Sequence, residues 1–177
     1  MEKAIAFILV LISSQFVSTA QSKKFPAVEY SYAKMYLFNL AETKERPEGK
    51  IWNGSSYAKT KHGEGKIIDE VGTKVLSRIT GMDMSSLNLG LSKCFIPRHG
   101  IVYYDEKDTP VASISICFEC EKIALFPNPY TDVDFSDSFS EERALKQLAG
   151  FKRLAKVCEL PVYEPADKNL YENLLKK

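Results

Sequence analysis

The chain has 177 residues, 45% hydrophobic and 27% charged, a composition that fits a folded globule and excludes wholesale disorder. With 24 basic and 23 acidic residues the net charge is +1, so no basic excess points to nucleic acid or to an anionic membrane surface. Four cysteines are too few for a disulfide scaffold, and no run of about 18 apolar residues supplies a transmembrane anchor.

Ala4 to Ile12 reads A-I-A-F-I-L-V-L-I, behind a short head that carries Lys3. Small residues at Ser18 and Ala20 suit signal peptidase, with Gln21 as the new N-terminus. Nine apolar residues, at about 1.5 Å each, cannot cross a hydrocarbon layer of ~30 Å. Residues 1–20 are therefore read as a cleaved signal peptide, and 21–177 as one domain. The expected destination is the bacterial periplasm or the exterior, where thiols tend to be oxidised.

Val28 to Leu40 alternates and is rich in Tyr, Val, Met and Phe, which predicts a strand or two short ones. Glu42 to Gly65 is a polar excursion with one short strand expected near Ser56–Lys61. Ile67, Val71, Val75 and Ile79 recur every four residues, which predicts a helix over 67–80, although Gly72 weakens it. Gly81 to Ser92 reads as loop. Gly100–Asp105 and Pro110–Phe118 are β-branched or aromatic and flank Glu106-Lys107-Asp108-Thr109, a hairpin with a four-residue loop. Pairing Asp105 with Pro110 makes Tyr104 face Val111, Tyr103 face Ala112 and Ile101 face Ile114. A slip by one residue would mix these apolar residues with Ser113 and Ser115.

Phe126 to Phe139 carries two prolines and three aspartates and reads as loop. Ser138 and Glu141 fit a capping box. Ala144, Leu148, Phe151, Ala155 and Cys158 then give one apolar helical face, ended by Pro161. Asp167 is a candidate cap for a last short helix through Leu170, Leu174 and Leu175. Strands and helices in segregated order predict an α+β domain. It has a small antiparallel sheet, a central hairpin near 100–105/110–118, a helix near 67–80 and a C-terminal amphipathic helix near 140–159.

The same hairpin register places Arg98 opposite Cys117, Cys94 opposite Glu121 and next to Cys120, and His99 beside Ile116. Cys94, His99, Cys117 and Cys120 thus gather at the open end of one hairpin. Paired strand residues have Cα atoms ~4.5–5.5 Å apart, within the ~4.4–6.8 Å of a disulfide. Several chemistries fit. A disulfide, most simply Cys94–Cys120, suits an exported chain, and Pro97 could bend the strand to admit Cys117 instead. A soft-metal site would use three thiolates and an imidazole around Zn²⁺, with Cys117-x-x-Cys120 at ligand spacing. Against it, the pair lacks the glycine of a tight knuckle, and residues three apart on a continuing strand point to opposite faces. Thiol redox chemistry at Cys117 and Cys120 would need a lowered pKa, for which Arg98 could supply positive charge. Buried thiols without chemistry complete the set, and Cys158, on the apolar helix face, fits that description best.

Other signals fall away. Asp132-Val-Asp134-Phe-Ser136-Asp137 begins like a calcium loop, but its sixth position is Asp137 and its twelfth Arg143. Gly63-Glu64-Gly65 lacks the third glycine of a dinucleotide turn, and Glu121 after Cys120 excludes haem attachment. No H-E-x-x-H or G-x-S-x-G appears, and no residue is assigned a catalytic role.

At Cys94-Phe-Ile-Pro-Arg-His-Gly-Ile-Val-Tyr-Tyr-Asp, followed by Ile116-Cys-Phe-Glu-Cys120, the chain resembles exported bacterial proteins of a type common in Bacteroidetes. They share a C-F-x-P-x-H-G-I-V-F-Y-D hairpin closed by I-C-F-E-C. A weaker echo runs from Gly150-Phe151-Lys152-Arg153-Leu154 to Leu160-Pro161-Val162. No activity is assigned to that family, so the resemblance supplies no mechanism. It implies that Cys94, His99, Cys117 and Cys120 belong together, and it raises the metal site to a par with the disulfide. The expectation is a non-catalytic cell-envelope protein binding a soft metal such as zinc through Cys94, Cys117, Cys120 and His99, with an envelope protein as its partner. A disulfide-stapled interaction or ligand-binding module and a thiol–disulfide oxidoreductase are the alternatives.

Overall fold

β-branched and aromatic residues set the central strands, and a computed structural model of the chain, describing residues 24–40, 47–88, 94–130 and 140–162, shows how they assemble. Five strands, β1 (Tyr32–Leu37), β2 (His62–Ile67), β3 (His99–Tyr104), β4 (Pro110–Cys117) and β5 (Lys122–Phe126), form one antiparallel sheet in the order β2-β1-β3-β4-β5. Among the described residues two helices, α1 (Glu70–Thr80) and α2 (Glu141–Val157), join the sheet in an α+β domain. Among the described residues no helix is long and apolar enough to cross a membrane.

Side chains alternate across a strand, so each strand feeds two layers. On one face Met35, Ile101, Ile114, Ile116, Ile123 and Leu125 pack under Leu76 and Ile79 of α1 and Leu148, Phe151 and Leu154 of α2. Each fully buried side chain of this size contributes about 1.5–3 kcal/mol. On the other face Tyr36, Val102 and Tyr104 lie under Ile51, Trp52 and Ala58. All six residues of β3 are buried, as expected of a strand covered on both sides. Gly100 makes that covering possible, since a Cβ there would sit 2.5 Å from Ile51 Cβ.

The hairpin register holds from His99↔Ile116 to Tyr103↔Ala112. It then shifts, so that Tyr104 faces Pro110 and not Val111. The loop causes the shift. Asp108 adopts a left-handed φ of 60°, and Asp105 Oδ1 accepts from Lys107 N and Thr109 N at 2.8 Å each.

Other boundaries also move. Ile67 belongs to β2, opposite Lys34, and α1 starts three residues later behind Asp69, whose Oδ1 accepts from Gly72 N at 2.7 Å. The short strand expected at Ser56–Lys61 is a single bridge, Trp52↔Tyr57, and the ladder comes afterwards at 62–67. β5 was not anticipated at all. The cap of α2 is Ser140, accepting from Arg143 N at 3.3 Å. Ala144, Leu148, Phe151, Ala155 and Cys158 are all buried as expected. The signal segment 1–20, the Ser138 half of the expected box and the short helix near 167–175 lie outside the described residues.

Candidate functional site

β4 ends at Cys117, and the chain turns back through Phe118–Glu121 so that β5 opens with Lys122 opposite Cys117. Glu121 takes a left-handed φ of 55°, the conformation a glycine would supply without strain. Cys120 is therefore folded back towards Cys117 and not sent to the far face as on a continuing strand. Cys94 arrives from the segment that precedes β3, whose buried Phe95 packs with Cys117 and Ala124. Cys117 is buried, Cys120 half-buried and Cys94 exposed. The Cys120 thiol lies within hydrogen-bonding reach of both the Cys117 and the Cys94 sulfur. Cys117 Sγ is 4.0 Å from the Cys94 carbonyl and 3.5 Å from Glu119 Oε2, and the backbone N–H groups of Cys120 and Ile96 are directed at it. No disulfide joins any of the four cysteines in this structure.

Burial pushes the Cys117 thiol up, opposed by hydrogen bonds from the Cys120 thiol and from the two N–H groups. Burial and then the Cys117 and Cys94 sulfurs push Cys120 up further. Both are neutral thiols at neutral pH, whereas a reactive thiolate needs the opposite shift. Arg98 is engaged elsewhere. Its Nε donates to Glu119 Oε1 at 2.9 Å and its Nη1 to the Asn39 carbonyl at 2.5 Å. The guanidinium pairs with the Glu119 carboxylate beside Cys117, and that carboxylate adds to the upward push on the thiol.

His99 stands apart from the thiols. It faces Ile116, so its side chain enters the helix-covered layer, while Cys117, one residue on, faces the other way. Its Nε2–H donates to the Pro161 carbonyl at 2.7 Å, and its ring meets Phe118 edge-on with centroids 4.9 Å apart. Burial lowers its pKa to about 4, so the imidazole is neutral. The expected ligand set is thus split, with Cys94, Cys117 and Cys120 together on one face and His99 on the other. Among the described residues no group of three or more His, Cys, Asp and Glu side chains is placed to hold a metal ion. The corner is a close Cys117/Cys120 pair with a third sulfur alongside. Cys158 caps α2 away from it, its thiol raised to about 11 by burial.

Family models, curated proteins and solved structures offer no match to this chain.

Sequence reasoning missed two polar groupings. Glu119 was not singled out, although Arg98 and a carboxylate close in the hairpin register were both visible. A tyrosine knot was missed as well. Tyr104 OH hydrogen-bonds to Tyr36 OH, and to Tyr57 OH at 2.6 Å, and Tyr32 stacks on the Tyr104 ring at 4.9 Å. Lys61 Nζ lies 5.2 Å from the Tyr36 ring centre and 5.6 Å from that of Tyr57. Tyr57 ties the 47–61 segment to β1 and β3, a long-range pairing that no local pattern announces.

Proposed function

We propose that the chain is an exported, non-catalytic bacterial envelope protein that binds a soft metal ion through Cys117 and Cys120, with Cys94 beside them. One observation carries this reading: the turn holds Cys120 against Cys117 while two backbone N–H groups point at the Cys117 sulfur. Such donors favour a thiolate. Without a cation, burial keeps both protons on, helped at Cys117 by the Glu119 carboxylate and at Cys120 by the neighbouring sulfurs. A bound soft cation reverses that balance and releases them. His99 is left out of the ligand set by its place in the opposite layer. Metal analysis of the full chain, purified and reduced without oxygen, tests the proposal. Bound metal that Cys117→Ser and Cys120→Ser both abolish supports it, and no difference between wild type and these variants ends it.

A second reading is favoured by the contact between Cys120 and the exposed Cys94. In an oxidising compartment Cys120 would bond to Cys94 or Cys117, stapling an interaction module. A bridge from Cys94 would close a loop of about 26 residues and contribute on the order of 3 kcal/mol. Thiol titration of denatured, unreduced protein would then find two fewer thiols than in the reduced chain. The oxidoreductase alternative draws no support from thiols raised by burial.

A further inference from the structure

We infer that Asn53 is a self-modifying residue: in the folded chain its side-chain amide is lost as ammonia, and the residue passes through a cyclic imide to isoaspartate and aspartate. The site lies in the irregular cover of the sheet and is independent of the thiol corner.

The chemistry needs an open nucleophile and an activated carbonyl beside it. Asn53 precedes Gly54, whereas Asn39, Asn88, Asn128, Asn169 and Asn173 precede leucine or proline. A leucine side chain screens its own N–H and proline has none, but glycine leaves the nitrogen open. The fold requires glycine at this position, since its φ is 102° and a Cβ would lie 2.4 Å from Phe126 Cζ. Asn53 is exposed, and its side chain folds forward over the turn that follows it. Its Oδ1 accepts from Ser55 N, Ser55 Oγ and Ser56 N at 3.0 Å each. The backbone donors that tie the turn are Asn53 N, Ser55 N and Ser56 N, which leaves the Gly54 N–H out of its bonding.

Three donors converging on one carbonyl oxygen do for this amide what an oxyanion hole does for a scissile carbonyl. As the Gly54 nitrogen bonds to Asn53 Cγ and yields its proton to solvent, negative charge grows on Oδ1, where those donors already point. Nucleophile and carbon sit in adjacent residues, so proximity is built in. The Cγ–Nδ2 bond then breaks and ammonia leaves, from an amine whose own bond, to Ser56 Oγ, is a long 3.4 Å. Water opens the ring at either carbonyl, giving aspartate or isoaspartate with no change in oxidation state. Asn39 shows the opposite arrangement: it is buried, and its Nδ2 is held by the Glu48 and Pro97 carbonyls at 2.8 and 2.9 Å. Isoaspartate at 53 inserts a methylene into the main chain next to Trp52, whose carbonyl accepts from Ser113 Oγ and which bridges to Tyr57. The conversion therefore slackens the cover of the sheet.

The experiment incubates the full, reduced chain in mildly alkaline buffer made with heavy-oxygen water, once folded and once unfolded in guanidinium chloride. Peptide mass mapping, with fragmentation that separates isoaspartate from aspartate, reads conversion at each asparagine. Heavy oxygen is expected at residue 53 of the folded chain and not at Asn39, Asn88 or Asn128, and it should enter faster there than in the unfolded chain. Ser55→Ala should slow the folded reaction by about tenfold, by removing one donor, and leave the unfolded rate unchanged. Trp52 emission should move to the red as isoaspartate accumulates, and Asn53→Gln should show neither change over the same period. Conversion no faster in the folded chain than in the unfolded one would mean that the turn protects the amide, and would overturn the inference. A folded rate that Ser55→Ala does not alter would overturn it as well. Unshifted Trp52 emission at full conversion would overturn the consequence drawn for the cover. Circular dichroism before incubation checks that each variant is folded.

Discussion

The two faces of the sheet are closed by different physics. The helix side is sealed by regular apolar stripes, with Leu148, Phe151 and Leu154 of α2 against Ile101, Ile114 and Ile116. Among the described residues the other side carries no helix, and its cover is irregular chain fastened by directional bonds. Ile51 N donates to Ser115 Oγ and Ser113 Oγ donates to the Trp52 carbonyl, both at 2.8 Å, and Tyr57 is tied to Tyr104. Non-directional burial suffices where periodic side chains interlock. Where they do not, polar groups must be placed one by one. The thiol corner belongs to this second, polar layer, at its β4–β5 end.

Four perturbations should separate the layers. The largest effect is expected on the helix side: Phe151, fully buried, should cost about 3–5 kcal/mol as Phe151→Ala in urea unfolding. Next comes pH. His99 carries a folded pKa of about 4 against 6.5 for the ordinary group, so the unfolded chain binds the proton more readily. Stability is fully present above about pH 6.5 and falls on the order of 3 kcal/mol as pH drops towards about 4. His99→Gln should flatten that slope when urea midpoints are compared across the range.

On the polar side, Gly100→Ala forces a Cβ against Ile51, and about 1–3 kcal/mol should be lost. The single tryptophan, Trp52, sits in that cover, so its emission should shift to the red before helix content falls. Coincident loss of both signals would show that the layers do not come apart separately. The smallest effect is Tyr104→Phe, which removes the hydroxyl shared by Tyr36 and Tyr57 and should cost roughly 1 kcal/mol. A neutral result would mean that the ring stacking with Tyr32 carries the contact.

The hairpin was legible because β3 and β4 are β-branched or aromatic and flank a short polar loop of four residues. α2 was legible because its apolar residues keep helical spacing. β5 was not, since the turn before it uses Glu121 in a left-handed conformation where the sequence offers no glycine or asparagine cue. β2 hid for another reason: H-G-E-G-K-I is polar and glycine-rich, the composition of a loop. Ile67 fitted the four-residue spacing of α1 yet faces solvent at 66% exposure. At the candidate site, register brought the sulfurs to one end of the sheet. The alternation of side chains then separated His99 from Cys117, a distinction that counting opposite residues does not make.

The open rim formed by β2 has its own consequence. Gly63 and Gly65 both take left-handed φ values, the register against β1 slips between Met35 and Leu37, and Glu64 and Lys66 are exposed. The Tyr36 ring occupies the space a side chain at position 65 would need. A contorted, charged border of this kind is a poor template for a neighbouring molecule's strand. Even at high concentration, copies of the chain should not zip together edge to edge along β2 into fibres.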